Sequence, residues 1–128
     1  IDAVCQRTWI PGSTVHLLTV VDPLVASSRP PLGSGDPEWG DEAFEEEIHW
    51  IGDMQAKALE RLRTAGLIAS AVLREGDPKK ILPAEAEEWG ADCIVIGARG
   101  LKSMERFLLG SVSSAIAARA HCSVEVVR

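Results

Sequence analysis

Four short runs of aliphatic and β-branched residues recur along the chain, and the segments between them are long enough to hold helices. The runs are TVHLLTVVD from Thr14 to Asp22, the stretch from Ile68 to Arg74, DCIVIG ending at Gly97, and SVEVVR closing at Arg128. Apolar residues on both alternating faces suit strands covered on two sides. Strands alternating with helices at this spacing imply parallel strands joined by right-handed crossovers. The pattern predicts an α/β fold with an open doubly wound parallel sheet, in the order β-α-β-α-β-α-β. The opening IDAVCQRTWIPG places Ile1, Val4 and Cys5 at helical spacing before Pro11 and Gly12, so the chain is expected to begin inside a helix. In such sheets ligands sit beyond the carboxyl ends of the strands.

Signals between the runs place the helices. Asp41 is the expected cap of a helix whose apolar stripe carries Phe44, Ile48, Ile51, Ala58, Leu59 and Leu62, ending with Arg61 and Arg63 and stopping at Gly66. Gly76-Asp77-Pro78 supplies a turn, a cap and a proline for the first helical position of PKKILPAEAEEWG, with Pro83 an awkward interior residue expected to bend it. SVSSAIAARA provides the last helix. Leu24 to Gly40, with Pro30, Pro31 and Pro37 and no periodicity, reads as a long exposed loop.

Length and charge bound the function. With 128 residues the chain fits one domain. A net charge of -6 argues against broad attraction to nucleic acid, so any anion site must be local. No apolar run approaches the roughly 20 residues of a membrane span, and no leader-like segment opens the sequence, so neither a membrane nor export is expected. Cys5, Cys93 and Cys122 make an odd count without CxxC spacing and read as free thiols of a reducing compartment, a cytoplasmic protein. His16, His49 and His121 are scattered without zinc-ligand spacing, so no metal residues are assigned. No nucleophile elbow or histidine-centred triad is present, so no catalytic residue is assigned either.

The most informative segment is VIGARGLKSMERFLLGSVSSA, residues 95 to 115. It is not a P-loop, because Ile96 and Leu101 stand where glycines would precede Lys102-Ser103, and Arg99 breaks a GxGxxG reading. What it does contain is Gly97 and Gly100 directly after a strand, then nine residues, then Gly110 and Ser111 directly before a helix. Glycines past a strand let a backbone approach a ligand closely, and a helix start with Gly110, Ser111 and Ser113 offers free N–H groups and hydroxyls to an anion. Tight turns and ordinary capping are the competing explanation of the same residues. Lys102 and Arg106, inside the nine residues, read as solvated loop charges.

This segment resembles the carboxyl-terminal half of the universal stress protein family, whose nucleotide-binding members carry G-x2-G-x9-G-[S/T]. Gly97, Gly100, Gly110 and Ser111 match without insertion, and TVVDP, GDPKKIL and EWGADCIVIG are also similar to family segments. The resemblance implies an adenine nucleotide alpha hydrolase-like fold, one domain over 1–128, and a nucleotide-responsive stress factor. It implies that Gly97, Gly100, Gly110, Ser111, Val112 and Ser113 hold the ribose and phosphates of ATP (or ADP or AMP), with Mg2+. Ile96 and Val20 would neighbour the sugar and adenine. It also implies a homodimer paired through the strand Val124–Arg128. The family's first strand, ending in aspartate and a small polar residue, has no counterpart before Ile1, so an amino-terminal segment beyond the given chain is expected. An interaction module with a vestigial nucleotide site and a slow ATPase or self-phosphorylating protein using Ser111 or Ser113 are the alternatives.

Overall fold

The computed structural model describes residues 1–22, 39–98 and 109–128, with backbone alone at 39–44 and 47. The elements in chain order are α1 (Asp2–Cys5), β1 (Thr14–Val21), α2 (Trp39–Thr64), β2 (Ile68–Glu75), α3 (Pro78–Trp89), β3 (Cys93–Gly97), α4 (Ser111–Arg119) and β4 (Ser123–Val127). Strands and helices alternate as the sequence predicts, and both strand pairings are parallel, β1 with β2 and β3 with β4. The fold is mixed α/β with parallel sheets. Its described residues divide into two compact units, Ile1–Gly76 and Asp77–Arg128.

In the first unit β1 and β2 run in register from Thr14 opposite Ile68 to Val21 opposite Glu75. Helix α2 covers one face of this pair. Leu62 is fully buried and clusters with Leu67 and Ala69, against which Val4, Cys5, Trp9, Val15 and Leu59 pack. Ile51 and Ala58 are buried on the same stripe, as their spacing predicts. Burying a leucine of this kind contributes roughly 1.5–3 kcal/mol by transfer alone. Gln55 fixes the helix to the sheet by donating its amide to Thr19 Oγ1 at 2.8 Å and to the Val72 carbonyl at 3.0 Å. Helix α2 ends in paired bonds, Leu67 N–H to the Leu62 carbonyl and Gly66 N–H to the Arg63 carbonyl, with Gly66 at φ 84°. Only a residue without Cβ takes that left-handed geometry cheaply.

The backbone enters α2 at Trp39, two residues before the expected cap Asp41. First-turn amides have no intrahelical acceptor, so Gly40 is tolerated there and the acidic Asp41 sits where the helix dipole still favours it. Helix α1 is only one turn. The indole of Trp9 donates to the Val4 carbonyl at 2.8 Å, satisfying one of its terminal acceptors. The expected loop from Leu24 to Gly40 lies outside the described residues up to position 38.

In the second unit β3 and β4 pair from Cys93 opposite Ser123 to Gly97 opposite Val127. Ile116 of α4 is fully buried and Ala98 nearly so. Helix α3 begins as the sequence predicts: Asp77 accepts from Lys79 N–H at 3.0 Å, and Pro78 takes the position whose amide needs no partner. It runs through Pro83 to Trp89 and closes on Gly90 at φ 72°. Cys5, Cys93 and Cys122 are half-buried and form no disulfide. No described helix is long and apolar enough to cross a membrane.

Candidate functional site

The carboxyl end of β3 and the first turn of α4 meet through Ala98. Its N–H extends the ladder by donating to the Val127 carbonyl at 2.7 Å, and its carbonyl accepts from Gly110 N–H at 2.7 Å. The Ser113 hydroxyl lies 3.1 Å from the same carbonyl and 3.0 Å from the Gly110 carbonyl. The two ends of the segment that leaves β3 and returns at α4 are therefore joined at one backbone carbonyl. Ala98 carries no sequence signal for this role, because it acts through its main chain.

Gly110 is the N-cap of α4 at φ -65°, ψ 159°, and among the described residues no side chain caps the helix. Ser114 N–H makes the first helical bond, to the Gly110 carbonyl at 3.0 Å. The amides of Ser111, Val112 and Ser113 thus precede the helical ladder, and no backbone carbonyl among the described residues accepts from them. A helix start whose first three amides have no backbone acceptor among the described residues, just past a strand end, can take an anionic oxygen.

The serines separate. Ser111 is exposed, whereas Ser113 is only 2% exposed and its hydroxyl is directed into the protein's own carbonyls. Val112 is half-buried beside them. Gly97 ends β3 in an exposed position and Ile96 before it is half-buried opposite Val126. Among the described residues the glycines with positive φ are Gly12, Gly66, Gly76 and Gly90, and Gly97 and Gly110 are not of that set. Neither position has a positive φ that would require glycine. Gly100, Lys102 and Arg106 lie outside the described residues. Val20 belongs to the first unit, next to last on β1 and half-buried, on the sheet face opposite the one Thr19 presents to Gln55 of α2.

Among the described residues no three His, Cys, Asp or Glu side chains form a metal-holding group. The resolved charge perturbation is far from α4 in sequence: Asp2 accepts from the Arg61 guanidinium, and this hydrogen bond and the opposite charge hold the Asp2 carboxyl below its usual range and raise Arg61.

The family description that matches the chain is the Universal stress protein family, over residues 8–128. A relative from Staphylococcus haemolyticus, named as a universal stress protein, is 51% identical over 57 residues, 44% of this chain and 34% of the relative. The chain thus matches along about a third of the length of that curated relative. Among solved structures, hypothetical protein MJ0577 is similar with a TM-score of 0.80 at 22% identity, covering 98% of this chain and 83% of that one. A universal stress protein in complex with cAMP is similar at TM-score 0.58 and 24% identity, covering 90% and 73%. A universal stress protein family protein from Arabidopsis thaliana with AMP bound is similar at 0.52 and 23%, covering 89% and 62%. At such identities the structural likeness establishes the fold.

Proposed function

Because this chain belongs to the universal stress protein family, we propose that it binds an adenine nucleotide, with the phosphates on the first turn of α4. The observation that carries this reading is the helix start itself: among the described residues α4 has no side-chain cap at Gly110, and the amides of Ser111 and Val112, just beyond the end of β3, have no backbone acceptor. Gly110 has a backbone that any residue adopts, so its dihedral angles do not require glycine. Close approach of a ligand is the reason we propose for the glycine. Similar proteins holding AMP and cAMP support an adenine nucleotide as that ligand.

ATP is the proposed form, with Gly97, Gly100, Gly110, Ser111 and Val112 around the phosphates and ribose and Ile96 beside the sugar. The donor set fits the phosphate, since it consists of N–H groups. Mg2+ would be held through phosphate oxygens and water, as that ion commonly is. The biological reading is a nucleotide-responsive stress factor of the cytoplasm, folded as one domain over 1–128. A homodimer through Val124–Arg128 belongs to the same proposal. Among the described residues β4 pairs with β3 alone, and a valine-rich edge needs either a partner or a guard.

Titration calorimetry with ATP and Mg2+, then with ADP, AMP and cAMP, tests the reading. Saturable binding of at least one nucleotide is expected. No heat and no thermal stabilisation with any of the four overturns it.

A further inference from the structure

We propose that Ser113 is a positioning residue, whose buried hydroxyl fixes the first turn of α4 against the end of β3 and so aims the open amides. The inference rests on the nucleotide reading and goes beyond it by assigning the serine a task other than touching the ligand. A hydroxyl has one proton, and here two carbonyls compete for it, Ala98 at 3.1 Å and Gly110 at 3.0 Å. A proton shared in this way is not offered to a phosphate. What Ser113 gives an anion is its backbone N–H, while the side chain sets where that N–H points.

The contact to Ala98 spans fifteen positions in sequence, which separates it from a local helix-start bond such as the one to Gly110. Without Ser113 the described hydrogen bond that remains between the end of β3 and the start of α4 is the one from Gly110 N–H to the Ala98 carbonyl. One hydrogen bond fixes a distance but leaves rotation about it. A second, from a different residue of the same turn, fixes the direction. The chain of bonds continues through Ala98 N–H to Val127, so the aim of α4 is referred to the ladder of β3 and β4.

The substitution Ser113→Ala isolates this effect. Alanine is the better helix former. Both carbonyls also keep an amide donor, Ala98 from Gly110 and the Gly110 carbonyl from Ser114, so no buried polar atom is orphaned and the variant is expected to fold. Two readouts decide. The first is hydrogen exchange of the Gly110 amide by NMR without nucleotide, expected to speed up about tenfold in the variant. The second is ATP affinity at a temperature where both proteins are folded, expected to fall about tenfold, which corresponds to about 1.4 kcal/mol.

A purely structural serine would lower the thermal midpoint and leave affinity unchanged, and that result overturns the proposal. Unchanged exchange at Gly110 overturns it as well, with or without nucleotide. If exchange rises while the wild-type protein binds no nucleotide, the nucleotide reading falls and the positioning of α4 stands. The variant Ser113→Thr restores the hydroxyl; recovery of slow Gly110 exchange supports the proposal, and a folded threonine variant exchanging as fast as alanine counts against it.

Discussion

Two helices of this protein start just beyond the carboxyl end of a parallel strand, and they start in opposite ways. After β2, Gly76 N–H donates to the Val21 carbonyl at 2.8 Å; after β3, Ala98 N–H donates to the Val127 carbonyl at 2.7 Å. Each strand is thus prolonged by one bond to its neighbour. Beyond that point α3 is sealed: Pro78 has no amide to leave open, and the Asp77 carboxylate takes the next one. Helix α4 has no such cap among the described residues, with a glycine at its N-cap and its nearby buried hydroxyl turned inward to Ala98. An anionic cap and an anionic ligand compete for the same donors, so under the proposed function the uncapped start is the one that takes the nucleotide.

The largest effect is expected from making the open start resemble the sealed one. Gly110 at φ -65°, ψ 159° and Asp77 at φ -74°, ψ 113° share the extended region usual for N-caps. Gly110→Asp therefore fits the backbone and places a carboxylate over the amides of α4. Loss of one charge-assisted hydrogen bond plus charge repulsion should weaken ATP binding roughly 100-fold, about 2.7 kcal/mol. Calorimetry measures the loss, while urea unfolding should show equal or greater stability. Undiminished affinity would mean that the phosphates lie elsewhere.

The glycines divide along the same line. Gly90 closes α3 in the left-handed region with open space where a Cβ would project, so Gly90→Ala should cost about 1–2 kcal/mol through backbone strain alone. Gly110→Ala meets no such strain in its dihedral angles and should change stability by less than about 0.5 kcal/mol. Denaturant midpoints of the two variants separate a glycine needed for its backbone from one needed for its missing side chain.

Much of this contrast could be read from residue order. The runs ending at Asp22, Arg74 and Gly97 have strand boundaries within one residue of those observed, because Pro, Gly and Asp punctuate them. GDP before α3 announced its cap for the same reason. The start of α2 was less legible, since the expected cap Asp41 lies inside the helix, two residues after its first residue Trp39. At the site, Gly97, Gly110 and Ser111 stand where their spacing put them, at a strand end and a helix start. The inward turn of Ser113 was not readable, because it depends on how α4 docks against a carbonyl fifteen residues away. Nor was Ala98, whose contribution involves no side chain. Both are tertiary facts with no local signature.

A smaller effect follows from opening the sealed helix. Asp77→Ala removes the acceptor for Lys79 N–H and should destabilise the protein by about 1 kcal/mol, within the 0.5–2 kcal/mol range for cap removal. Nucleotide affinity should stay within twofold of wild type, about 0.4 kcal/mol. A large drop in affinity would show that α3 also takes part in binding and would blur the distinction between the two starts.

The smallest effect concerns how the two units hold their helices. The first unit ties α1 to α2 through an exposed ion pair, Asp2 with Arg61, whereas the second ties α4 to β3 through an uncharged, buried hydroxyl. The Asp2 carboxyl has its pKa lowered by the guanidinium, so the pair contributes above the ordinary aspartate range and is lost as pH falls through the lowered value. Exposure and salt screening keep that contribution slight. Carbon-detected NMR should give Asp2 a titration midpoint below ordinary aspartate, and Arg61→Gln should return it toward the usual range. Over the same acid titration the Gly110 amide should keep its chemical shift and slow exchange, because nothing in the Ala98–Ser113 contact ionises. Loss of both at one pH would mean that acid unfolds the chain as a whole; loss of the Asp2 contact alone would show that the polar tie at α4 is the more durable of the two.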